Sequence, residues 1–135
     1  MSGFKNNAHI YDYATQVKSL CKRIREKHTC LKLVLKTKNN AFFLERWIQH
    51  HLKIVGDQNL IIFDNMSSDP AVFDVYRRYA SQIIIIHYKQ YHLLLHNPNE
   101  FYYFYKALYE SSDFYAFLDV DEFLYLFDGK QLIND

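Results

Sequence analysis

Two stretches of this chain contain no polar residue at all, Leu60–Phe63 and Ile83–Ile86. A strand with one wet face alternates apolar and polar residues, because successive side chains point to opposite sides. Strands that are apolar throughout are covered on both faces, as in a parallel sheet packed between helices. The intervening segments supply such helices. Phe43, Leu44, Trp47, Ile48, His51, Leu52 and Val55 recur at helical spacing, and Gly56 stands where a C-terminal cap belongs. Val72, Phe73, Tyr76, Tyr79 and Ala80 trace a second stripe, opened by Asp69 as N-cap and Pro70 at the first helical position. Asn97-Pro98-Asn99-Glu100 reads as the start of a third helix, with Glu100 completing a capping box. Phe101, Phe104, Tyr105, Leu108 and Tyr109 form its expected inner stripe. Upstream, Tyr13, Val17, Leu20, Cys21 and Ile24 predict an amphipathic helix from about Ile10 to Glu26, after a loosely attached start at residues 1–9.

Leu31–Thr37, Gln82–Tyr88 and Asp113–Leu118 complete the strands, the last expected to be buried. The 135 residues suit one domain. Residues 1–30 read as an N-terminal helical segment and 31–135 as a β-α-β-α-β-α-β unit. The expected fold is α/β, a doubly wound, mostly parallel sheet with helices on both faces. Ligands of such sheets bind beyond the C-terminal ends of the strands, where strand order reverses. Three polar clusters follow strand ends in this reading, Thr37–Asn40, Asp64–Asp69 and Asp119–Glu122, and are expected to converge on one edge of the sheet.

The last cluster carries the most chemistry. Strand alternation would deliver Asp119 and Asp121 to one side of the chain. Two adjacent carboxylates repel unless a proton, a cation or a positive side chain separates them. Hard oxygen ligands of this kind suit Mg²⁺ or Mn²⁺, above all when a substrate phosphate adds further oxygens. A solvated acidic turn is the plainer explanation of the triplet taken alone.

Composition excludes several classes. Sixteen basic and 15 acidic residues leave a formal charge of +1, so no global field calls for nucleic acid. The cations are unevenly placed, with Lys18, Lys22, Arg23, Arg25 and Lys27 crowding the first helix. A solvated face explains such a cluster; peripheral contact with anionic lipid is the alternative. No run has the length of a membrane span, and polar residues interrupt the region where a secretory signal would need its apolar core. Cys21 and Cys30 form no zinc-type spacing, which makes a reducing, cytoplasmic setting the default. Three glycines leave no P-loop and no Gly-rich dinucleotide fingerprint. Seven histidines include His87, His92 and His96, but no cysteine or carboxylate completes a tetrahedral metal set. His51 falls on an apolar stripe and is expected to be a hydrogen-bonded core residue, while His50 and His51, being adjacent, are not expected to face one ligand. Tyr102 and Tyr103 are expected at the surface, available to a partner.

Three motifs, in order, resemble a family. They are Lys36-Thr37-Lys38-Asn39-Asn40 running on to Glu45-Arg46-Trp47-Ile48-Gln49-His50-His51, then Asp64-Asn65-Met66-Ser67-Ser68-Asp69, then Asp119-Val120-Asp121-Glu122-Phe123. Together they resemble the first, nucleotide-sugar-binding half of a GT-A type glycosyltransferase of the family-2-like group, over about Leu33 to Leu126. The resemblance implies a donor site for a nucleoside-diphosphate sugar. Thr37, Lys38 and Asn39 would line the nucleotide pocket. Asp64, with Asn65, would accept hydrogen bonds from base or ribose. Ser67 and Asp69 would shape and cap their loop. Asp119 and Asp121 would engage a divalent ion, Mn²⁺ or Mg²⁺, on the donor diphosphate. Asp121 is the expected direct ligand, Asp119 acting partly through ribose or water, with Glu122 as support. The implied acceptor is a glycan or lipid-linked group, as in surface polysaccharide assembly, with the protein in the cytoplasm or peripheral at the inner membrane face.

Two departures qualify the resemblance. Asn40 stands where the family has Glu, which removes a charge and any salt bridge that went with it. The chain also ends at Asp135, after the turn Phe127-Asp128-Gly129-Lys130 and the tail Gln131–Asp135, where the family continues into an acceptor half with its catalytic base. A non-catalytic donor-binding module, prone to self-association, is therefore the main alternative. A haloacid-dehalogenase-like phosphatase ranks below it, because Phe123 replaces the Thr or Val of that motif.

Overall fold

Alternation of strand and helix builds one sheet with helices on both faces. The computed structural model describes residues 10–89, 97, 99–127 and 132–133. The elements are β1 (Ile10–Asp12), α1 (Tyr13–Arg25), β2 (Thr29–Thr37), α2 (Ala41–Val55), β3 (Leu60–Asn65) and α3 (Pro70–Tyr79). They continue with β4 (Ile84–Tyr88), α4 (Tyr102–Ser111), β5 (Ser112–Leu118) and a two-stranded antiparallel pair, β6 (Leu126–Phe127) and β7 (Leu132–Ile133). The main sheet has the order β1-β4-β3-β2-β5, and every pairing in it is parallel. This is the doubly wound α/β fold that the apolar strands predict.

Side-chain alternation divides the core in two. Leu33, Leu35, Leu60, Ile62 and Ile85 point toward Leu44, Trp47 and Ile48 of α2 and Val72 and Tyr76 of α3. Val34, Ile61, Phe63, Ile84 and Ile86 point the other way, onto Leu20 and Ile24 of α1 and Phe104 and Leu108 of α4. Fully burying a side chain of this size contributes about 1.5–3 kcal/mol, so neither layer is dispensable. Lys32 lies among these residues, fully buried. Its Nζ donates to Ile24 O at 2.6 Å and Ser111 Oγ at 2.7 Å. The ammonium thus sits at the carbonyl ends of α1 and α4, where the helix dipoles favour a cation. Burial still lowers its pKa, with Lys27 adding to the effect, to about 8.

Local signals behave as chemistry requires at α2 and α3. Asp69 accepts from Ala71 N–H at 2.9 Å, with Pro70 following. Gly56 closes α2 at φ +80°, ψ 175°, a region open only to glycine, and its N–H donates to Leu52 O. Four expectations need correction. Ile10–Asp12 is not helical but pairs with β4, and the helix starts at Tyr13. Asp12 accepts from Thr15 Oγ1 while Gln16 Oε1 accepts from Asp12 N–H, so local bonds close off the strand. Residues 10–30 accordingly belong to the sheet and its helical cover. The third predicted helix begins at Tyr102 without a side-chain cap, because Asn97 instead closes a turn by accepting from Asn99 N–H. Tyr109 is 79% exposed, since the inner stripe of α4 passes through Phe104, Ala107, Leu108 and Ser111. Finally, β5 is an edge strand rather than a buried one, and Phe114 is 67% exposed on it. An uncharged run rich in aromatics, such as Phe114–Leu118, fills a half-covered edge as readily as a covered centre. His92, His96, Pro98 and most of the expected C-terminal turn and tail lie outside the described residues.

Candidate functional site

Strand order reverses at β2: the chain moves outward to β3 and β4 on one side, then returns to β5 on the other. The C-terminal ends of β2 and β5 flank that switch point, with Leu35 opposite Leu118. A cleft of about 490 Å³ lies there, lined by Lys36, Thr37, Lys38, Asn40, Phe43, Asn65, Asp119, Val120 and Asp121. The volume is that of a small-molecule site. The two acidic side chains reach it through a turn, not through strand alternation. The strand stops at Leu118, Glu122 N–H donates to Asp119 O at 2.9 Å, and the Glu122 carboxylate accepts from Asp119 N–H at 2.8 Å. Buried Val120 anchors the turn in the core, while Asp119 and Asp121 on either side of it stay exposed. Glu122 therefore closes the turn with its carboxylate.

Of the residues singled out from sequence, Thr37, Lys38, Asn65, Asp119 and Asp121 line the cleft, whereas Asn39 and Asp64 do not. Asn39, at φ 51°, joins two loops. Its N–H donates to Ser67 Oγ, and its Oδ1 accepts from Ser68 N–H at 2.7 Å and Asp69 N–H at 2.9 Å. Asp64 is fully buried, with one oxygen accepting from Tyr76 Oη at 2.7 Å and the other from Ser67 N–H at 2.9 Å. Both residues hold the wall behind the cleft. Burial and the neighbouring Asp64 carboxylate push the Tyr76 hydroxyl well above its ordinary pKa, which keeps it a donor.

Lys36, Asn40, Phe43 and Val120 belong to the cleft but were not singled out. Lys36 had a readable signal, a charge directly after the apolar run Leu33–Leu35. It is nearly buried; desolvation lowers its pKa and the Asp119 carboxylate opposes that shift. Asn40 makes no side-chain cap bond at the start of α2. Thr37 is more informative. The residue lines the cleft, and its Oγ1 is buried with no hydrogen-bond partner among the described residues.

The acidic turn is held from outside by α2. Trp47 Nε1 donates to Glu122 O at 2.9 Å, His50 Nε2 donates to Leu124 O at 2.7 Å, and Leu124 N–H donates to His51 Nε2 at 3.1 Å. His51 Nδ1 donates to Trp47 O at 2.8 Å, which fixes its tautomer and leaves Nε2 as acceptor. Adjacent histidines thus grip the two sides of a single backbone residue, Leu124. Burial, with help from nearby His50, lowers the His51 pKa to about 4. The imidazole is neutral at pH 7, as its accepting role demands.

No group of three or more His, Cys, Asp or Glu side chains suited to a metal occurs among the described residues. Asp119 and Asp121 are thus a two-carboxylate set, which fits a cation that takes its remaining oxygens from water and a phosphate-bearing substrate. No described helix is long and apolar enough to cross a membrane. Fold and site together define a doubly wound α/β domain with a ligand-sized, charged cleft at its topological switch point. Comparison with protein families, curated proteins and solved structures found no match.

Proposed function

We propose that the cleft is the donor site of a metal-dependent, GT-A type glycosyltransferase, which binds a nucleoside-diphosphate sugar for transfer to a glycan or lipid-linked acceptor. One observation carries this reading: Thr37, whose buried hydroxyl has no hydrogen-bond partner among the described residues, lines a cleft with two exposed carboxylates at the switch point. Buried polar groups are nearly always bonded, so such a hydroxyl asks for a ligand or an ordered water. Charge supports the reading. Lys36 and Lys38 balance Asp119 and Asp121, so the cleft alone attracts a diphosphate weakly. A divalent cation, Mn²⁺ or Mg²⁺, held by Asp121 and Asp119 would tip that balance and offset charge on the leaving nucleoside diphosphate. Asn40 and Asn65 offer uncharged hydrogen bonds, and Phe43 and Val120 an apolar wall for a base or sugar ring. In this reading Asn39 and Asp64 act by holding the wall, and the protein works in the cytoplasm, where the exposed Cys30 thiol stays reduced.

Calorimetric titration with UDP and GDP, with and without Mn²⁺, tests the proposal on the wild type and on Asp121→Ala. The expected result is metal-dependent binding that the variant loses while remaining folded. Absence of binding by a folded wild-type chain would remove the donor site, and metal-independent binding would remove the role of the carboxylates.

A further inference from the structure

The outer face of α1 and α4, on the far side of the sheet from α2 and α3, carries groups that the cleft does not use. Between Tyr13 and Arg25, α1 contains Lys18, Lys22, Arg23 and Arg25 and no acidic residue, with Lys18, Lys22 and Arg25 exposed. Beside it, α4 presents Tyr102, Tyr103 and Tyr109, which are 54%, 61% and 79% exposed, with Lys106 exposed among them. The two helices form one surface. Cys21 Sγ donates to Tyr103 O at 3.4 Å, and a shallow groove of about 300 Å³ runs between Val17, Lys18, Cys21, Arg25 and Tyr103. Acidic neighbours offset the two arginines and leave Lys18, Lys22 and Lys106 without an ion pair among the described residues. Glu110 pairs with Arg25 at 2.7 Å, and Glu26, just past the end of α1, lies 3.8 Å from Arg23.

We propose that this face docks on an anionic lipid bilayer. A merely solvated basic helix accounts for the lysines but not for three exposed tyrosines on the helix beside it. A tyrosine ring is apolar at its body and polar at its tip, which suits the headgroup layer of a membrane, where such residues concentrate. Lysine side chains lay their methylene stems along that layer and keep the ammonium at the phosphates. The apolar area is too small to insert deeply, so charge provides the main attraction and the tyrosines add depth. The proposal stands independently of the donor-site reading.

Co-sedimentation of the full chain with phosphatidylcholine vesicles, with and without phosphatidylglycerol, tests it. Wild type is expected to bind the anionic vesicles, to ignore the neutral ones and to release as salt rises. Lys18→Glu with Lys22→Glu reverses two exposed charges and is expected to weaken binding about 25-fold or more, at about 5-fold for each lysine lost. Tyr102→Ser with Tyr103→Ser is expected to weaken binding while leaving its salt dependence intact. These sites are exposed, so circular dichroism should report unchanged folds. The proposal is overturned if folded wild type ignores anionic vesicles or binds neutral ones equally. It is also overturned if the tyrosine variant binds as wild type does, because a plain polycation, or a surface meant for an acidic protein, would behave that way.

Discussion

Acid is expected to loosen the grip of α2 on the acidic turn, because His51 is buried in its neutral form. Its Nε2 accepts from Leu124 N–H and its Nδ1 donates to Trp47 O, so a second proton would replace an acceptor with a donor facing another donor. Burial holds the folded-state pKa near 4, against 6.5 for an unperturbed imidazole. Between those two values the unfolded chain binds more protons than the folded one, so stability falls as pH falls. The difference corresponds to about 3 kcal/mol. It is present in full above pH 6.5 and lost by about pH 4. By about pH 5 roughly 2 kcal/mol is already gone. Urea unfolding followed by the fluorescence of Trp47, the only tryptophan, whose ring centroid lies 4.2 Å from that of His51, reads this directly. His51→Gln is expected to be less stable than wild type at neutral pH by about 1–3 kcal/mol, through the lost hydrogen bond to Leu124. Lacking the titration, the variant should close that gap by about 2 kcal/mol at about pH 5. A gap that stays constant from neutral pH to about pH 5 would refute the reasoning, since nothing else in the exchange removes a proton-binding site.

Two further outcomes follow from buried polar groups. Lys32 has a folded-state pKa of about 8 against an ordinary 10.5, so across that window the unfolded chain holds the extra proton and stability rises with pH. The rise attributable to this group is about 3 kcal/mol, to be seen as an alkaline increase in urea midpoint that Lys32→Met lacks. Tyr76→Phe removes the hydroxyl that donates to buried Asp64 and is expected to cost about 1–3 kcal/mol in urea unfolding, with loosening of the 64–69 loop visible as faster amide exchange at Ser67.

Much of the fold was legible because its cues are local. The polar-free runs at Leu60–Phe63 and Ile83–Ile86 required cover on both faces, and Asp69-Pro70 and Gly56 marked helix ends through backbone chemistry that operates within a few residues. Position in the sheet was not legible. The aromatic run before Asp119 satisfies an edge as well as a centre, and the choice is made by which neighbours the strand finds. The site divided in the same way. Strand ends pointed to Thr37, Lys38, Asn65, Asp119 and Asp121, whereas the bonds from Trp47, His50 and His51 to Glu122 and Leu124 span more than seventy residues. Nothing in the helical stripe of α2 distinguishes an imidazole packed in the core from one that grips a distant backbone. That Asn39 and Asp64 stand behind the cleft has a related reason. A polar residue at a strand end can face the ligand or tie the loops that frame it, and both uses leave the same sequence pattern.

The two borders of the sheet differ in a way that matters for the behaviour of concentrated solutions. On one side the described part of β1 spans three residues, whereas on the other β5 runs for seven residues and pairs with β2 alone among the described strands. Asp113 is its only charge, beside exposed Phe114 and Tyr115. A long, lightly charged, aromatic edge invites strand addition from other molecules. Among the described strands, the long aromatic edge is thus the one that leads directly into Asp119.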